Sequence, residues 1–144
     1  MKRVIGVLGA ALLLSGCTTF SRLTSYGGEL ADAHVTVVGH GYSVYVHPQD
    51  DTLLIQRRFA PGLMQSFGQG LTMGAAKFTE AMPYWRSAAR AVLDEAGCEV
   101  GDVYLLDDRS WEARFTCPPG ADIRRMAVER RAAWRAGLTG PAPY

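Results

Sequence analysis

The side chains in this sequence best suited to hold a metal or shuttle a proton are His34, His40 and His47. Their spacing suits neither task, because no histidine stands four residues from another, and compact zinc sites draw on tighter groupings. Asp50-Asp51 and Asp107-Asp108 are carboxylate pairs of the kind that divide acid and base work. Both fall in stretches of turn composition, where Asp is favoured for backbone reasons alone. Gly68-Gln69-Gly70 opens like a dinucleotide-binding loop, but Met73 stands where the third glycine belongs, and no Lys-Ser or Lys-Thr follows as in a phosphate loop. There is no G-x-S-x-G to expose a serine nucleophile. The sequence therefore points to no catalytic residue, no metal ligand and no cofactor.

Two stretches carry a different kind of chemistry. Residues 122–136 hold Arg124, Arg125, Arg130, Arg131 and Trp134 on a helical pattern, a composition that can lie on anionic lipid or dock on an acidic partner. The competing reading is a surface helix whose Ile123, Met126 and Trp134 pack on its own sheet while its arginines are solvated. Residues 59–82 hold four glycines together with Met64, Met73 and several other large apolar side chains. They are too glycine-rich for a firm helix and too apolar for a solvated loop. Met64 and Met73 would suit an adaptable partner surface, or an irregular covering of the core.

The elements that must position these residues are legible in part. Tyr42-Ser43-Val44-Tyr45-Val46-His47 alternates strong β-formers, the turn composition of residues 48–51 follows, and residues 52–57 return as a second strand. Tyr42, Val44 and Val46 share one face of that hairpin, and residues 35–38 can extend it. Residues 83–96 form the clearest helix: Trp85, Ala88, Ala89, Val92, Leu93 and Ala96 recur on one face, and Gly97 stands at the stop. Residues 98–106 and 109–117 flank Asp107-Asp108 as a second hairpin. A two-residue loop there sets Tyr104 against Trp111, Val100 against Phe115 and Cys98 against Cys117. That register also sets Asp102 on the face of Val100, so a bulge at Gly101-Asp102 or a four-residue loop is the alternative.

The N-terminus decides the compartment. Lys2 and Arg3 precede an uncharged apolar run over residues 4–14, which is too short to span a bilayer, and Leu14-Ser15-Gly16-Cys17 closes it. This stretch resembles the signal peptide and lipobox of bacterial lipoproteins. The resemblance covers about the first 20 residues and no further domain family is recognised. It implies removal of residues 1–16, a diacylglycerol thioether on Cys17 and acylation of the new N-terminus. Three acyl chains, at about 0.8 kcal/mol per buried methylene, make such an anchor effectively permanent. Thr18 stands where lipoproteins retained in the inner membrane carry Asp, so the resemblance implies the outer membrane, facing the periplasm.

Without Lys2 and Arg3 the 15 basic residues fall to 13 against 14 acidic ones, which argues against nucleic acid as a partner. With Cys17 lipidated, Cys98 and Cys117 remain as an even pair in an oxidising compartment and read as a disulfide; the alternative is two free buried thiols. The expected organisation is a signal peptide (1–16), a lipidated flexible tether (17–33), a single α+β domain (34–137) and a disordered tail (138–144). The expected fold is an antiparallel sheet of two β-hairpins with a helix on one face, in the order β-β-α-β-β, plus a C-terminal helix. The expected function is a non-catalytic binding or accessory module of the cell envelope, held by its lipid and meeting a protein partner. An inhibitor or immunity-type lipoprotein and a small periplasmic hydrolase are the alternatives.

Overall fold

A computed structural model of the chain describes residues 23–27, 30–58, 82–107 and 109–144. The signal peptide, Cys17 and the Gly/Met segment with Met64 and Met73 lie outside these residues. The fold is α+β: a six-stranded sheet with helices packed on it.

The first three strands are β1 (Ala33–Val37), β2 (His40–Val46) and β3 (Thr52–Arg58). Val37 pairs with His40, leaving Val38-Gly39 as a two-residue turn in which both residues have positive φ, 46° and 82°. That conformation matches the twist of the flanking strands and suits Asn-Gly far better than Val-Gly. β2 and β3 form the expected antiparallel hairpin, in a register that sets Tyr42 opposite Arg57 and Val44 opposite Ile55.

The second hairpin is β4 (Glu99–Asp107) with β5 (Ser110–Thr116). Val100 faces Phe115 as expected, and just beyond that pair Cys98 and Cys117 are joined by a disulfide. Closing 19 residues of separation contributes about 3 kcal/mol in the chain-entropy view. The register then shifts. A bulge between Val100 and Val103 sets Val103 against Ala113, so Tyr104 faces Glu112, and Trp111 faces Leu105 instead of Tyr104. The bulge leaves Asp102 exposed and brings Val103 into the core, which the unshifted register would have denied both.

The sheet runs β4-β5-β3-β2-β1-β6, so the two hairpins join edge to edge through an antiparallel β3–β5 pairing, Ile55 opposite Trp111. The sixth strand, β6 (Leu138–Thr139), lies parallel to β1. The tail expected to be disordered from residue 138 is thus ordered at its start. Gly140 donates its N–H to the Thr36 carbonyl at 2.9 Å, and it is buried where a Cβ would meet Val37 Cγ2 at 2.7 Å. The domain also begins earlier than residue 34: Ala33 opens β1, and Tyr26 and Ala31, inside the expected tether, are buried.

Helix α1 (Met82–Leu93) carries Pro83 in its first turn, where a missing donor costs little, and buries Trp85, Ala88, Ala89, Val92 and Leu93. A short 3-10 turn (Asp94–Ala96) follows, and Gly97 at φ 69° ends it. The expected C-terminal helix is two pieces, α2 (Ile123–Glu129) and α3 (Arg131–Ala136), broken at Arg130. Asp122 caps α2 by accepting the Arg124 and Arg125 N–H groups.

Helices α1, α2 and α3 bury side chains in one core, on the sheet face that carries Val35, Tyr42, Val44, Leu53, Ile55 and Phe115. Trp85 stacks on Trp111 at 5.6 Å and meets Tyr42 edge-on at 5.1 Å, arrangements favoured by the ring quadrupoles. Each fully buried aliphatic residue here contributes about 1.5–3 kcal/mol of transfer free energy.

Candidate functional site

The opposite sheet face meets none of the three helices. Alternation along the strands puts Ser43, Tyr45, Leu54, Gln56, Ser110, Glu112 and Tyr104 on it. An N-terminal arm, described over residues 23–27 and 30–31, packs part of this face: Tyr26 and Ala31 form a small second core with Tyr45 and Leu54, and Leu23 and Leu106 pack against it.

Beside that small core lies a polar cluster that sequence reasoning did not single out. Glu112 is only 4 % exposed. The Tyr104 hydroxyl donates to its Oε1, and the Tyr26 phenol also senses its charge. Tyr26 donates to Thr52 Oγ1 at 2.9 Å. Burial first, then the neighbouring carboxylate, pushes the Tyr26 and Tyr104 phenols above the usual tyrosine range. Two neutral phenols therefore surround one acid, an arrangement that orients the carboxylate and fixes the arm to the sheet. Its only sequence signal is a pair of cross-strand neighbours, Tyr104 and Glu112, hidden by the bulge.

The three histidines do not converge. His40 sits edge-on to Tyr84, with its Nδ1 3.3 Å from Arg57 Nη2. His47 accepts the Gln49 and Asp50 N–H groups at Nδ1 and so shapes the β2–β3 turn. His34 has a buried Nδ1 with no hydrogen-bond partner among the described residues. Burial, then the positive charges of Arg58 and Arg135, lowers its pKa. Among the described residues no group of three metal-ligating side chains forms. Asp51 pairs with Arg124, and the Asp107 carboxylate accepts the Arg109 N–H at 2.8 Å; both are turn contacts.

The arginines of residues 122–136 are largely engaged. Arg124 donates to the His47 and Gln49 carbonyls and to Asp51, stitching α2 to the β2–β3 turn. Arg130 grips the Glu95 carboxylate. Arg131 stands 3.5 Å from Asp32, and Arg125 makes only a loose contact with Glu129 at 3.8 Å. Of the two readings of this helix, Trp134 follows the one in which it packs on its own sheet and not the one in which it anchors lipid or a partner: it is 1 % exposed in the main core, with its Nε1–H on Glu95 at 3.2 Å. Its helical spacing alone did not tell an outward tryptophan from an inward one.

Between the arm and α2–α3 runs an open groove of about 570 Å³. Leu30 and Val128, 72 % and 64 % exposed, stand on its walls with Arg124, Arg131, Arg135 and Asp32. Arg135 donates to the Ala31 carbonyl at 2.7 Å, and Asp32 accepts the Val46 N–H at 2.9 Å, so both walls are fixed to the domain. Among the described residues no helix is long and apolar enough to cross a membrane. No family model matches this chain, and no curated protein or solved structure is similar enough to it to count as a match.

Proposed function

We propose that the protein is a lipid-anchored periplasmic module of the outer membrane, non-catalytic, that binds a protein partner of the cell envelope through the sheet face opposite α1, α2 and α3. The observation that carries this reading is the division of the sheet: α1, α2 and α3 bury their apolar sides on one face, and the other presents Thr36 and Arg58 exposed beside half-buried His34, Ser43 and Gln56. A sheet face that mixes hydroxyl, amide and cationic groups suits a polar protein surface better than it suits a core. The lipobox resemblance at residues 14–17 supports the compartment, and the Cys98–Cys117 disulfide is the bond expected there. The side chains of His40, His47 and Asp51 make contacts that shape the fold, which favours binding over catalysis.

Two measurements test it. Cys17→Ser should shift the protein from the membrane fraction to the soluble periplasm, and unchanged partitioning overturns the anchor. A photo-crosslinking residue at Thr36 or Arg58 should yield a discrete adduct in intact envelopes, while one at Arg90, on the helical side, should not. Equal adducts from both sides defeat the assignment of the face.

A further inference from the structure

The groove between the arm and α2–α3 has a chemistry unlike the rest of the surface, and its position along the chain identifies what it meets. Its walls carry three arginines and a single carboxylate, Asp32. Arg124 is committed to the β2–β3 turn. Arg131 shares Asp32 across 3.5 Å, and Arg135 spends its Nε on the Ala31 carbonyl, which leaves guanidinium N–H groups of both beside the opening. Leu30 and Val128 stand outward beside them, each more than half exposed. Aliphatic side chains interleaved with arginines form the composition that settles at the boundary between lipid headgroups and acyl chains.

The arm supplies the second argument. Leu23 packs on the small second core, and Tyr26, one turn later, bonds back to it through its N–H and is itself a wall of the groove. Five residues lie between Cys17 and Leu23, so an extended chain spans at most about 22 Å between them. A lipid on Cys17 therefore holds this end of the domain close to the bilayer, with the groove next to the point where the chain arrives.

We propose that the groove rests on the membrane that holds the anchor. In this arrangement Arg131 and Arg135 meet the phosphates of anionic glycerophospholipids, and Leu30 and Val128 enter the headgroup layer. The proposal builds on the lipid anchor at Cys17. It leaves the sheet face opposite α1, α2 and α3 for a partner and sets the orientation in which that face is presented.

The test uses the native lipidated chain, reconstituted in vesicles of phosphatidylethanolamine with phosphatidylglycerol and, separately, in detergent micelles. Flotation with the vesicles reports the anchor, and amide hydrogen exchange over residues 123–136 reports the docking. Exchange there should slow severalfold in vesicles relative to micelles. The slowing should be lost on Val128→Asp or Leu30→Asp, whose side chains are exposed and whose replacement leaves the core intact. Arg131→Gln with Arg135→Gln should weaken it by about fivefold for each arginine that faces anionic lipid. Protein that floats but exchanges equally in both settings overturns the docking and spares the anchor; protein that does not float overturns both.

Discussion

The indole N–H of Trp134 donates to Glu95 Oε2 at 3.2 Å, and Arg130 grips the other oxygen of the same carboxylate. One acid just past the end of α1 thus holds both the last helix and the residue at which the C-terminal helix breaks. Arg130 first, then Trp134, holds the Glu95 carboxyl below the usual carboxylate range. A depressed pKa in the folded state contributes stability that is present above the unfolded value, near 4.5, and is lost as pH falls through the folded value. Urea titrations below pH 5 should show that loss in the native chain, and Glu95→Gln should be less stable at pH 7 with a shallower acid slope. An unchanged slope would separate Glu95 from the acid response.

Val38 is the one non-glycine residue at positive φ among the described residues, and it is β-branched and exposed. A left-handed conformation costs an L-residue about 1–2 kcal/mol, and Asn bears it more cheaply. Val38→Asn should therefore stabilise the protein by about 1 kcal/mol and raise Tm by a few degrees. A fall in Tm would show that Val38 makes a contact worth more than its backbone strain.

Gly140 has no room for a side chain between Val37 and the Ser87 carbonyl. Gly140→Val should cost about 1–3 kcal/mol by overpacking, read from denaturant midpoints at constant m. A neutral result would mean that the segment after α3 leaves the sheet readily.

Tyr26 fixes the arm through Thr52 and the Glu112 cluster. Its raised pKa is chiefly the work of burial, so the folded state resists ionising it. Stability linked to this phenol is fully present below the unfolded value of 10.0 and declines as pH rises beyond it. Tyr26→Phe should flatten that alkaline decline and cost about 1 kcal/mol at neutral pH. Tyr26→Ala should also speed proteolysis within residues 23–31.

Both hairpins and the face of α1 were legible because each carries a strong local period. The second hairpin illustrates the limit. Its disulfide end kept the expected register, yet one bulge moved Tyr104 from Trp111 to Glu112. The bulge answers a conflict that was visible in the sequence, a charged Asp102 on a core-facing position, but the choice between bulge and longer loop rests on packing against β5. The break at Arg130 has no glycine or proline to announce it. It coincides with the contacts to Glu95, 35 residues earlier in the chain. The arm looked like tether because Tyr26, Ala31 and Asp32 gain meaning only against β2 and β3. In the groove, Arg124 reads as a surface cation until the turn more than 70 residues before it is folded underneath.

The parallel pairing of β6 with β1, Val35 beside Leu138 and Thr36 beside Thr139, makes the opening and closing segments of the domain immediate neighbours. A polypeptide that emerges from a translocation pore N-terminus first presents β1 long before β6 exists. The edge of β1 stays open until the whole chain is through, and a stalled or truncated product offers it to other strands. Contacts of such long sequence separation also slow folding. If the chain is exported as proposed, completion of this sheet would be timed by completion of export, and an arrested chain would be left with an open edge prone to aggregation.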